Sequence, residues 1–195
     1  MLIKPYRVKN LSFVVIDDFF STEELVEVSQ EIVDLKRFSL ASDKTKTAVG
    51  LDGELKKTGT GLFLDELYAK NRGASAILKA NRKLFSEEVM SRCEELDAMF
   101  GLIRESNQDS TLLNYYAEGQ SYAPHKDKTR ISSVTFLRRG EFKGGGFYFP
   151  EQEITIEAVH NRAVIFPSCV THSAMPVYGD GTRISIAQFI DFVGK

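Results

Sequence analysis

The sequence predicts an α+β fold, mainly β, in which a strand and supporting helices come first and a sandwich or barrel-like jelly roll follows. Apolar residues recur at helical spacing in the first half, whereas after Asn107 the chain breaks into short segments rich in β-branched and aromatic residues. A length of 195 residues with 43% hydrophobic content suits one domain that buries its own core. The expected division is 1–106 for the strand, supporting helices and a candidate lid at 39–61, and 107–195 for the β core.

Phe13 to Asp17 (FVVID) reads as a strand. Ser21 with Glu24 three residues on makes a capping box, and Leu25, Val28, Ile32 and Leu35 then repeat at helical spacing, so 22–37 is expected as an amphipathic helix. The small, polar, Gly-containing stretch from Ser39 to Gly61 is expected as a loop or weak hairpin. From Asp65 to Ser106, Ala, Leu, Glu and Lys dominate, which predicts two or three helices broken near Gly73 and Ser86. TLLNYYA, RISSVTFLRR, GGFYFP, EITIEA, RAVIFP and TRISIAQFIDF then read as strands, and many short strands at this spacing indicate a jelly roll.

A formal net charge of −2, with acids and bases interspersed, gives no global attraction to nucleic acid. Cys93 and Cys169 are far apart and outside any CxxC pattern, as in a reduced cytosolic protein. No secretory signal and no stretch of bilayer-spanning length is present, so a cytoplasmic location without membrane contact is expected. No feature specifies an oligomeric state.

His125 and Asp127 form an H-x-D pair, and in extended backbone residues two apart face the same side. His172, after RAVIFP, can supply a third ligand. Two imidazoles and a carboxylate on one side of a metal leave positions open for other ligands, the pattern of non-haem iron oxygenases. H-x-D alone is a weak signal, and a packed histidine or a zinc site satisfies it equally well. Arg183 shifts the balance. It heads the strand Arg183-Ile184-Ser185-Ile186-Ala187, whose alternation puts Arg183, Ser185 and Ala187 on a small, polar-tolerant face. Such a face suits a pocket in which a guanidinium grips a carboxylate. The third histidine, His160, reads as an exposed loop residue, and Gly144-Gly145-Gly146 as a turn leading into a strand.

Tyr116-x-x-Gly119-Gln120-x-Tyr122-x-x-His125-x-Asp127, the following RISSVTFL, Gly144-Gly145-Gly146-Phe147, Asn161 to Ser168, His172 and Arg183 together resemble the prolyl 4-hydroxylase-like branch of the 2-oxoglutarate/Fe(II)-dependent dioxygenases. The opening FVVIDDFFSTEEL resembles it too. The resemblance implies a double-stranded β-helix (jelly roll, cupin-like) braced by N-terminal helices. It implies Fe(II) on His125, Asp127 and His172, with Arg183 pairing to the distal carboxylate of 2-oxoglutarate. Dioxygen would be the second co-substrate and ascorbate an accessory reductant. By the same resemblance Tyr116 lies near the co-substrate, and Thr135, facing inward with Ser133, offers it a hydrogen bond. Tyr122 and Arg130 fall on the substrate side.

The implied activity is hydroxylation, with a prolyl residue in a peptide or protein ranked first. A free amino acid or other small molecule is the alternative substrate, and a non-catalytic metal-binding jelly roll the alternative class. A zinc hydrolase ranks below these because no Glu adjoins either end of the ligand set as a general base. The nucleic-acid demethylase branch carries a second Arg six residues after the first, where this chain has Phe189. Nucleic acid therefore ranks low as a partner.

Overall fold

The computed structural model describes residues 1–44 and 54–194. The chain opens with the antiparallel pair β1 (Leu2–Val8) and β2 (Leu11–Asp17), followed by helix α1 (Thr22–Leu35). α1 begins where the capping box places it: Ser21 Oγ accepts from the Glu24 amide, and the Glu24 carboxylate accepts from the Ser21 amide at 2.7 Å. The expected helix to residue 37 ends in a 3-10 turn, Lys36–Phe38. Short strands β3 (Leu40–Ala41) and β4 (Thr60–Phe63) pair with each other, the weak hairpin expected at 39–61. Residues 45–53, the middle of the candidate lid, lie outside the described residues.

Helices α2 (Leu64–Leu67), α3 (Ala76–Asn81) and α4 (Glu87–Leu96) are linked by 3-10 turns. The expected break near Ser86 is a cap, its hydroxyl accepting from the Val89 amide. Strands β5 (Gln108–Tyr116), β6 (Tyr122–His125), β7 (Ile131–Arg139), β8 (Lys143–Gly144) and β9 (Phe147–Phe149) follow. The chain closes with β10 (Ile154–Ile156), β11 (Arg162–Pro167), β12 (His172–Ala174), β13 (Val177–Tyr178) and β14 (Thr182–Asp191).

The large sheet runs β1-β2-β11-β7-β14-β5-β4-β3, a smaller sheet runs β10-β9-β12-β6, and β13 pairs with β8. The result is a jelly roll with helices on one outer face. Strand alternation divides the core in two. Val14 and Ile16 of β2, Ala163 and Ile165 of β11, and Ile184, Ile186 and Ile190 of β14 pack under Val28, Ile32 and Leu35 of α1 and Val89 and Cys93 of α4. The alternate residues Phe13, Val15, Val164 and Phe166 turn the other way and meet Phe147, Phe149 and Ile156 of the small sheet. The large sheet is buried on both faces near β2 and β11, and these strands read as near-continuous apolar runs.

One corner positions the site. Ahead of β4, residues 56–58 run alongside β6: the Thr58 amide donates to Ser121 O (2.9 Å) and the Ala123 amide to Lys56 O (2.8 Å). At Gly59 the chain turns with φ +105° and passes to the large sheet, where β4 pairs with β5. A Cβ at Gly59 would stand 2.7 Å from Tyr115 O, so both the conformation and the space demand glycine.

Candidate metal centre and co-substrate cavity

β6 and β12 are neighbours in the small sheet, and their register sets His172 directly opposite His125. Asp127 follows β6 by two residues, its amide donating to Ser168 O at 3.0 Å. His125, Asp127 and His172 thereby offer ligand atoms within 4.8 Å of one another, the sole such metal-capable cluster among the described residues. His125 Nε2 lies 3.7 Å from Asp127 Oδ1, and His172 Nε2 lies 3.5 Å from Asp127 Oδ2.

Each imidazole is oriented by its own backbone. His125 Nδ1 is 2.9 Å from Ala123 O and His172 Nδ1 is 2.9 Å from Val170 O. A carbonyl can only accept, so both protons sit on Nδ1 and both Nε2 lone pairs face the gap. Burial, with His172 close by, holds His125 down at about 3, so its ring is neutral and ready to ligate. Burial likewise lowers His172 and raises the Asp127 carboxyl. Ser132 Oγ donates to Asp127 Oδ2 at 2.6 Å and also lies 2.7 Å from Ser168 Oγ, which fixes the carboxylate plane. The rings pack closely: Tyr122 stacks on His125 at 3.6 Å between centroids, and Phe166 meets His172 edge-on at 4.7 Å.

These side chains open onto a cavity of about 530 Å³ between the two sheets. Its large-sheet wall is the face of β14 expected from alternation, Arg183, Ser185 and Ala187, extended by Phe189, together with Leu112, Asn114 and Tyr116 of β5. Arg183 is 2% exposed, donates from Nη1 to Gly145 O at 2.9 Å, and lies 4.5 Å from the Tyr116 ring centre. Its Nε has no hydrogen-bond partner among the described residues. A buried guanidinium with spare donors is a site for an anion. Burial lowers Arg183 from its ordinary value and raises Tyr116 to about 12, so that phenol stays protonated.

Tyr116 and Tyr122 both line this cavity, but two other expected residues do not. Thr135 requires a correction. β7 presents Val134 and Phe136 to the inter-sheet space, while Ile131 and Leu137 face the helices. Thr135 has the second phase, and its strand partners Ala163 and Ile186 both belong to the core under the helices. From β7 the cavity is lined by Ser132, Ser133 and Val134, of which Ser132 bonds the Asp127 carboxylate. Arg130 is placed beside the C-terminal strand end, 3.6 Å from Asp191 and over the Phe192 ring at 5.1 Å. His160 is exposed and accepts from the Arg138 amide at 3.1 Å. Gly144 and Gly145 adopt φ of 69° and 66° in the turn before β9, where a Cβ on Gly144 would stand 2.5 Å from Pro176 O.

One buried cation of the cavity, Lys57, carried no signal in the sequence. Lys57 is fully buried and its ammonium donates to Asn114 Oδ1. Burial, with the Arg183 charge nearby, lowers it to about 8. In sequence it is one of two adjacent lysines in a polar stretch, and only the corner at Gly59 turns it inward.

A jelly roll with two imidazoles and one carboxylate at the mouth of a cavity, and a guanidinium within it, has the architecture of a non-haem metal oxygenase. Residues 111–191 match the family model of the 2OG-Fe(II) oxygenase superfamily, a match that implies Fe(II), 2-oxoglutarate and dioxygen. No curated protein matches the chain by sequence. Among solved structures, it is similar to a Pseudomonas putida prolyl-4-hydroxylase, with TM-score 0.68 and 16% identity over 95% of both chains. A Trichoplax adhaerens prolyl hydroxylase, in complex with a hypoxia inducible factor oxygen degradation domain peptide fragment, gives 0.67 and 17% over 92% of this chain and 83% of that one. A viral collagen prolyl hydroxylase from Paramecium Bursaria Chlorella virus-1, as its 2OG complex, gives 0.59 and 15% over 93% and 96%. At these identities the likeness shows the jelly-roll fold. No helix among the described residues is long and apolar enough to cross a membrane.

Proposed function

We propose that the chain is a prolyl 4-hydroxylase-type enzyme acting on a proline residue in a peptide or protein. Iron would be held by His125, Asp127 and His172, and the distal carboxylate of 2-oxoglutarate by Arg183. The observation that carries this reading is the single cavity joining three convergent ligand atoms to a buried guanidinium that has no acidic partner among the described residues. The donor set fits ferrous iron: two neutral imidazole nitrogens and one carboxylate, with room beside them for a chelating co-substrate. Bound there, Fe(II) with 2-oxoglutarate and dioxygen supplies the oxidising power for hydroxylation, with succinate and carbon dioxide as by-products.

The chain's own residues do the rest. Backbone carbonyls at Ala123 and Val170 aim the imidazoles, and Ser132 aims Asp127. Arg183, beside Tyr116, anchors the far end of the co-substrate. Phe147 and Phe166 keep the inner wall dry. The prolyl substrate is favoured by the whole-chain likeness to three prolyl hydroxylases, one of which holds a peptide fragment. A reducing cytoplasm, with ascorbate as accessory reductant, suits a chain with two free cysteines, Cys93 buried and Cys169 exposed.

The test is incubation with Fe(II), 2-oxoglutarate and ascorbate against proline-containing peptides and free amino acids. Succinate release together with a mass gain of one oxygen on a prolyl residue is expected. A mass gain on free amino acids alone would move the assignment to a small-molecule hydroxylase. Tight zinc with no response to 2-oxoglutarate would overturn the reading.

A further inference from the structure

The cavity contains two buried cations, and neither Arg183 nor Lys57 pairs with a carboxylate among the described residues. Arg183 has a counter-ion in the proposed function; Lys57 has none. An ammonium without a counter-ion is costly to bury, and a neutral donor would satisfy the Asn114 side chain without that cost. Three features nevertheless build Lys57 into place. Its backbone is bridged to Tyr122 of β6, the turn at Gly59 follows at once, and its Nζ stands 3.4 Å from where a Cβ on Gly61 would lie.

Lys57 and Arg183 address neighbouring stations of one face. Asn114, which holds the Lys57 ammonium, precedes Tyr116 on β5 by two residues, and Tyr116 is the strand partner of Arg183. Two residues on, the same face of a strand is reached about 7 Å away. On the other side the ammonium lies 5.8 Å from the Tyr122 ring, which itself stacks on His125. Lys57 is thus linked on one side, through Asn114, to the strand that pairs with Arg183, and on the other, through the Tyr122 ring, to the ligand His125.

We infer that Lys57 is a second anion-binding residue of the cavity and contacts 2-oxoglutarate between its Arg183-held carboxylate and its metal-chelating end. This rests on the proposed function. A carboxylate on the primary substrate is the competing occupant, but Lys57 is fully buried, and Lys126 and Lys128 at the exposed mouth would meet an incoming acidic group first.

The groups facing Lys57 are Arg183 from β14, Asn114 and Tyr116 from β5, Tyr122 and His125 from β6, with Lys56 beside it in the chain and Asp127 beyond Tyr122. Burial and the Arg183 charge lower Lys57 to about 8, so the empty cavity loses this charge as pH rises through about 8. An anion that needs the charged form must bind more weakly above that pH.

The experiment is calorimetric titration of 2-oxoglutarate into Mn(II)-loaded wild type, Lys57→Met and Lys57→Arg, from pH 6.5 to 9.5. At neutral pH, Lys57→Met should weaken 2-oxoglutarate at least tenfold while Mn(II) affinity is kept. Wild-type affinity should fall above about pH 8. Lys57→Met should be flat across that window, and Lys57→Arg should keep most of the affinity and lose the fall. Equal affinities in wild type and Lys57→Met, or an unchanged pH profile in Lys57→Arg, overturn the inference. So does a Lys57→Met enzyme that binds 2-oxoglutarate normally but shows a raised KM for peptide alone. If Lys57→Met does not fold, the wild-type and Lys57→Arg profiles decide. A wild type that binds no 2-oxoglutarate refutes the underlying proposed function instead.

Discussion

The space between the two sheets is filled at one end and hollow at the other. Toward β2 and β11, Phe13, Phe149, Phe147 and Phe166 interlock, with ring centroids 5.1–5.8 Å apart along the chain of contacts. Toward β14 and β5, the same inter-sheet layer presents Arg183, Ser185, Ala187, Asn114 and Tyr116 to the cavity. The backbone geometry is shared; what differs is side-chain volume and polarity on one face of four strands. The jelly roll obtains stability from one half of its interior and a binding site from the other.

Three substitutions sharpen that contrast. Phe149→Ala in the filled half should cost about 3–5 kcal/mol of stability, read as a lower urea midpoint, because a fully buried ring leaves a cavity. Arg183→Met in the hollow half should leave the urea midpoint of the ligand-free protein unchanged or raise it, since a desolvated cation is removed. The same change should cost about 2–5 kcal/mol in 2-oxoglutarate binding, measured by calorimetry. A fall in stability as large as that of Phe149→Ala would make Arg183 a structural residue. Ser132→Ala, at the boundary, should weaken Mn(II) or Fe(II) binding about 10–100-fold by freeing the Asp127 carboxylate, with little change in the urea midpoint.

The contrast also explains what could be read in advance. β14 alternates between isoleucines and small or charged residues, so its two faces are distinguishable in the sequence, and Arg183, Ser185 and Ala187 line the cavity. β7 is buried on both faces, with Ser132, Ser133, Val134 and Thr135 in a row, and polarity carries no phase there. The sequence therefore offers no ground for preferring Ser132 to Thr135 as the cavity-facing residue. The H-x-D pair and His172 were legible because ligand chemistry restricts residue type. Lys57 was not, because its burial depends on a turn that brings a strand-like segment against β6, a contact made at a distance of more than sixty residues.

β14 is bonded on both sides, to β7 along nine register pairs and to β5 along nine. Its central amides should exchange with solvent only when the whole domain opens, and Arg183, near the start of the strand, is paired with Tyr116 on one side and Arg138 on the other. β6, by contrast, is four residues long and pairs with β12 on one edge and a short bridged segment on the other. Under the proposed function, adjustment to a substrate would fall to the histidine-bearing edge, while Arg183 would serve as the fixed reference from which reach into the cavity is measured.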